Sequence, residues 1–145
     1  MEYKRYKPKI DRLFWFILIP TLILLAAVTV LAVFAPSALW VIIPTDVFTV
    51  YFLITTLFGY AELREKCVFI KFGFFMKREI PYDSIYGTEK VRKFYSDSML
   101  SLKNSIEHVN IKHDKFNLTS ISVVGNDEFL AELDARRFSR DSTLN

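Results

Sequence analysis

Charge is missing from two long stretches of this sequence. No charged side chain lies between Arg12 and Asp46, and none lies between Asp46 and Glu62. Cysteine is nearly absent as well: Cys67 is the only one, which excludes an internal disulfide and suits a reducing compartment. His108 and His113 are the only histidines. With one cysteine and no His-x-x-x-His spacing, they do not indicate a zinc site. The four glycines form no phosphate-cradling loop, and the serines at 96, 98 and 101 lack the neighbouring glycines of a nucleophile elbow. No acid, base, nucleophile or metal set converges, so neither enzyme chemistry nor a cofactor is expected.

What fills the charge-free stretches is apolar. About 20 such residues cross the hydrocarbon core of a bilayer as a helix. The first stretch is too long for one crossing, and the two together suit a pair, at about 13–34 and 39–58. Between them lies Ala35-Pro36-Ser37-Ala38, where proline removes a backbone donor and biases the residue before it away from helical angles. Trp15 and Trp40 fall near the starts of the two spans, on opposite sides of the bilayer, where interfacial aromatics belong. A cleavable signal peptide needs a shorter apolar core, and a small soluble domain cannot cover two helices that are apolar all round. Residues 1–12 carry five basic and two acidic side chains, whereas the connecting turn carries no lysine or arginine. The basic tail, and with it the C-terminal part, is therefore expected in the cytoplasm. Asp46 interrupts the second span. It is expected near the outer headgroups, with Pro44 and Thr45 marking a ragged helix start, rather than on an ion pathway. Pro20 reads as a tolerated kink.

From Gly59 the texture changes to short alternating segments separated by turn signals. Strands are expected at 59–64, 67–73, 76–80, 85–92, 99–103, 106–112 and 116–123. Val68, Ile70 and Phe72 share one face. Gly73 permits a tight reversal, Pro81 ends a strand, and Ser96-Asp97-Ser98 and His113-Asp114-Lys115 are polar breaks. The period then changes. Gly125-Asn126-Asp127-Glu128 reads as a helix start, with Asn126 accepting from free amides. Phe129, Leu130 and Leu133 form its apolar stripe, and Arg136 and Arg137 fall in its last turn. The expected class is α+β. A transmembrane helical hairpin precedes a seven-stranded antiparallel barrel or orthogonal sandwich (59–138) closed by a C-terminal helix, with 139–145 a disordered tail.

Several pieces of this region occur in a recognisable order: Gly73-Phe74; Ile80-Pro81-Tyr82-Asp83-Ser84-Ile85; Ser98-Met99-Leu100-Ser101-Leu102 with Asn104, Ile106 and Glu107; then Ile121-Ser122, Asp127-Glu128-Phe129 and Leu133. In these pieces the chain resembles the pleckstrin-homology-like domain of the bacterial YyaB-like family, from about Tyr60 to Arg136. It departs at Val123, where the family tends to have proline. The resemblance implies a binding scaffold rather than a catalyst, often carried behind N-terminal membrane spans. In the wider superfamily, phosphoinositide binders use a basic first hairpin loop. The corresponding turn here, Arg64-Glu65-Lys66, is short and half-neutralised.

Two groups of basic residues are candidate membrane or partner contacts. One is the tail, Lys4, Arg5, Lys7, Lys9 and Arg12, where attraction to anionic lipid contributes about 1 kcal/mol per basic residue near the surface. The other is Lys90, Arg92 and Lys93, followed by Phe94 and Tyr95, whose simpler reading is a solvated strand edge guarded by lysine. From Gly59 onward, 14 basic and 13 acidic side chains nearly balance, so nucleic acid is not an expected partner. His108 and His113 are expected as solvated strand-end residues on opposite strand faces, and Cys67 as a small core residue. The expected function is a membrane-anchored binding module whose partner is a lipid or another membrane protein, with no oligomeric state implied. An immunity factor against membrane-active peptides is the alternative, by fold analogy. A transporter would need more polar groups in the spans than Asp46 and scattered threonines.

Overall fold

The computed structural model describes residues 3–95, 98 and 101–141. After β1 (Lys4–Tyr6), the two charge-poor runs form α1 (Arg12–Ala32) and α2 (Pro36–Thr55). Pro36 opens α2 at its first helical position, where a missing N–H breaks no bond. The helices hold 21 and 20 residues, about 30 Å each at a rise of 1.5 Å per residue. Both are long and apolar enough to cross a membrane, and only 6% of each apolar window is buried. Phe16, Leu31, Trp40 and Phe48 all point outward.

Asp46 departs from expectation. It lies well inside α2, as does Pro44, so neither marks a helix start. The Thr29 hydroxyl of α1 donates to the Asp46 carboxylate. The acid thus has a partner on the facing helix, a use of polar groups known from packed membrane helices.

α2 runs through a short 3-10 turn, Thr56–Phe58, into β2 (Tyr60–Leu63), β3 (Cys67–Phe72) and β4 (Met76–Pro81). These extend β1 into one antiparallel sheet, in the order β1-β2-β3-β4. A second 3-10 turn, Tyr82–Ser84, leads to β5 (Ile85–Arg92), β6 (Ser101–Leu102), β7 (Glu107–His113) and β8 (Asn117–Ile121). They form a second sheet, in the order β5-β7-β8-β6. The final helix, α3 (Asn126–Asp141), continues into the stretch read as a disordered tail.

Each of the seven expected strands has a counterpart, and the turn chemistry explains the boundaries. Gly73 takes φ +66° and Asp114 takes φ 50° in the reversals that follow β3 and β7, the left-handed region that glycine and aspartate tolerate best. Two features differ. The basic tail supplies an eighth strand, β1. And β6 pairs with β8 in parallel rather than antiparallel, on the edge of β8 left open by its hairpin partner β7. Positions 99 and 100 of the expected strand 99–103, 96 and 97 of the serine-rich break, and 142–145 of the expected tail lie outside the described residues.

Val68, Ile70 and Phe72 turn inward together, meeting Leu102, Ile111 and Ile121 from the second sheet. Phe129 and Leu133 of α3 complete this core, and the Phe129 ring meets Tyr6 edge-on at 5.1 Å. Burying a side chain of this size contributes about 1.5–3 kcal/mol. Two details of α3 differ from the sequence reading. Asn126 Oδ1 accepts from the Val123 N–H behind it (2.9 Å), and its Nδ2 donates to the Glu107 carbonyl (3.2 Å), tying the helix start to β7. Arg136 reaches back across the core edge, donating to the Leu63 and Arg64 carbonyls at 3.2 and 3.4 Å.

The feet of both long helices are packed into the domain. The Asp11 carboxylate accepts from Ser105 Oγ at 2.6 Å and from the Ile106 N–H at 2.9 Å. The Asp11 N–H donates to the Asn104 carbonyl at 2.9 Å. On the other helix, a Cβ at Gly59 would stand 2.1 Å from Leu102 Cδ1, and one at Gly73 would stand 1.8 Å from Thr55 Oγ1. No slack linker separates helices from sheets.

Candidate membrane-facing surface

One end of the β domain carries the start of α1 and the end of α2, and aromatic side chains flank both. Beside α2, the β3–β4 reversal places Phe74 4.8 Å from Phe58 and 6.3 Å from Tyr51, ring centre to ring centre. Phe75 lies 6.2 Å from Tyr51 and is 82% exposed. Beside α1, Phe94 lines a cleft with Phe14, Ile17 and Asp11. Lys103 Nζ braces the backbone next to it, donating to the Lys93 carbonyl (2.8 Å) and to that of Tyr95. Lys93 Nζ sits 5.5 Å from the Tyr95 ring centre.

The basic residues singled out in the sequence are mostly engaged elsewhere. Lys4 meets Glu128 at 2.6 Å. Arg5 pairs with Glu62 at 3.5 Å and lies 4.3 Å over the Tyr60 ring. Lys9 and Lys90, far apart in sequence, converge on Glu107 at 3.1 Å each, and Lys90 also meets Asp127 at 2.6 Å. Arg92 lines the same cleft as Lys9 and Glu107. The hydrogen bond from Lys9, and then that from Lys90, holds the Glu107 carboxyl below the usual range. Asp127 first, then Glu107, raises the Lys90 ammonium. Lys7 contributes through its backbone, accepting from the Val124 N–H at 2.9 Å. Arg12 begins α1 and borders a groove with Trp15 and Phe16. These contacts spend much of the tail's positive charge on the domain's own carboxylates.

The first hairpin loop, Arg64-Glu65-Lys66, lies at the opposite end of the domain. The six residues of β3 separate it from the Gly73 turn by about 20 Å at 3.3 Å per residue. Arg64 there binds Glu62 at 3.3 Å and Glu79 at 3.2 Å, and stacks 3.9 Å over Phe69. Close by, Tyr82 donates to the Arg64 carbonyl at 2.8 Å, and burial pushes its hydroxyl pKa up.

The histidines are not solvated. His108 and His113 are both fully buried; His113 shares its strand face with the core residues Val109 and Ile111. His113 Nε2 bonds Thr119 Oγ1 at 2.9 Å and its Nδ1 faces the Asp114 carboxylate at 3.0 Å. His108 Nδ1 bonds the Ile106 carbonyl at 3.1 Å. Cys67 is half-buried, and burial, then Glu79, raises its thiol pKa, the opposite of what a nucleophilic thiolate requires. The packing of Phe74 and Phe75 on the foot of α2 was missed in the sequence. Its signal is the apolar run Phe72-Gly73-Phe74-Phe75-Met76 between Lys71 and Lys77.

A family model described as a bacterial PH domain matches residues 60–137. Searches of curated proteins and of solved structures return no significant match. The matched stretch runs from the first residue of β2 into α3 and covers more than half of the chain. The chain therefore belongs to the bacterial PH domain family.

Proposed function

We propose that this protein is a membrane-anchored, non-enzymatic binding module, held at the cytoplasmic face of a bacterial membrane. The observation that carries the reading is the outward-facing apolar surface of α1 and α2, whose most apolar stretches are almost wholly unburied and which are joined without slack to a PH-like domain. Water does not tolerate that much apolar surface on a small protein, whereas a bilayer requires it. PH-like domains are generally binding modules, and the order of the Ile80-Pro81-Tyr82 and Ile121-Ser122 pieces supports a place among YyaB-like members. The basic N-terminal segment and the lysine-free turn between the helices favour cytoplasmic termini.

Its partner on this reading is a lipid or another protein of the same membrane. Fixing the domain to its anchor limits its orientation and raises its effective concentration toward anything else in the bilayer. Alkaline washing of isolated membranes tests the anchor. The intact protein is expected in the pellet, and its recovery in the wash would overturn the proposal.

A further inference from the structure

The turn between β3 and β4 does not end in solvent-compatible residues. Phe74 and Phe75 form its tip, and Met76 follows; all three are exposed. One register step behind the tip, Lys71 and Lys77 stand directly opposite each other. Among the described residues no carboxylate pairs with either. Lys71 lies 6.0 Å from the Tyr60 ring centre. Two like charges at facing positions are unfavourable in a sheet unless something anionic sits between or beyond them.

The position of this tip follows from its contacts with α2. At 20 residues, α2 is about as long as the hydrocarbon core is thick, roughly 30 Å. If α2 spans, Thr55 marks the inner boundary, and Tyr51, one turn earlier, lies about 6 Å inside it. Gly73 packs directly on Thr55, and the Phe74 and Phe75 rings lie within 6.3 Å of Tyr51. The tip is therefore held at the depth where aromatic rings favour the interface. The lysines, one step back, are level with phosphates.

We propose that the Phe74-Phe75 tip inserts into the inner leaflet beside α2, with Lys71 and Lys77 bound to the phosphates of anionic phospholipids. The inference rests on the reading that α1 and α2 span the bilayer. It assigns the lipid contact to the second hairpin turn of the PH-like domain, not to Arg64-Glu65-Lys66 at the far end. The tip acts as a third foot, which sets the domain's tilt on the membrane.

The test uses the full chain in a Cys67→Ser background, reconstituted at low protein-to-lipid ratio in vesicles of phosphatidylcholine with phosphatidylglycerol. Spin labels are placed singly at Phe75→Cys, at Phe48→Cys in α2 and at Phe116→Cys in the far β7–β8 turn. Collision with oxygen and with a water-soluble nickel chelate reports depth. The expected result is oxygen-rich, nickel-poor labels at 48 and 75 and a nickel-accessible label at 116. Nickel access at 48 would sink the spanning reading itself. Protection at 48 with access at 75 equal to that at 116 would sink the insertion alone. Protection at 75 that vanishes on further dilution into lipid would assign the tip to a second copy and also overturn it. Lys71→Gln and Lys77→Gln are expected to lower the inserted-to-free ratio about fivefold each, with no such loss in pure phosphatidylcholine. An unchanged ratio would remove the lysines from the contact.

Discussion

Glu107 sits between Lys9 and Lys90, which lie far apart in the sequence, and its carboxyl pKa is lowered by both. The sign of its contribution follows. A carboxyl whose folded pKa lies below its unfolded value stabilises the fold above the ordinary range, near 4.5, and loses that contribution as pH falls through the folded value. The melting-temperature gap between wild type and Glu107→Gln, measured in detergent, is expected to be widest at neutral pH and to close on acidification. A gap that stayed constant to low pH would show that the ion cluster is unimportant. At this scale the sequence was only partly legible. Alternation placed Val68, Ile70 and Phe72 on one face. It gave no warning that His108 and His113 are buried, because side-chain burial on β7 depends on what packs against each face of its sheet. Nor did it show that Arg136 binds the Leu63 and Arg64 carbonyls at the end of β2. Asp46 was visible as an anomaly, but its partner, Thr29, is one of several threonines in the spans, and only the pairing of the helices selects it.

Among the elements, the strands were legible where punctuation is strong. Gly73, Pro81 and the break at 113–115 mark ends that local chemistry alone enforces. β1 was not legible, since Lys-Arg-Tyr is short and charged and becomes a strand only by pairing with β2, distant in sequence. The parallel pairing of β6 is likewise a tertiary choice. The Asp11 carboxylate couples α1 to the domain by filling two donors of the β6–β7 connection. Hydrogen bonds to a charged group contribute about 1.5–3 kcal/mol each. Asp11→Ala is therefore expected to speed hydrogen exchange at the Ile106 amide by at least tenfold, about 1.4 kcal/mol, while amides in the β2–β3 hairpin stay protected. Unchanged exchange at Ile106 would show that Asp11 is dispensable for docking.

As a whole molecule, the protein joins two charge-poor helices to a PH-like domain at fixed geometry. The charge-free runs make the helices visible in the sequence itself, because length and the absence of ionisable groups are properties of composition. The aromatic end of the domain was harder to see. It is assembled from residues separated in the chain: Phe74 packs on Phe58 at the foot of α2, and Phe94 lines a cleft with Phe14 at the foot of α1. The tail lysines stand together in the sequence, and folding sets Lys4 against Glu128 and Lys9 against Glu107, pairings that no local pattern announces.

Protease protection tests the central claim most directly. With sealed cells and a protease added outside, the C-terminal half from Gly59 onward is expected to survive intact. It should be digested only after the membrane is opened, leaving a protected fragment containing α1 and α2. Digestion of that half in sealed cells would contradict a PH-like domain tethered to the inner face.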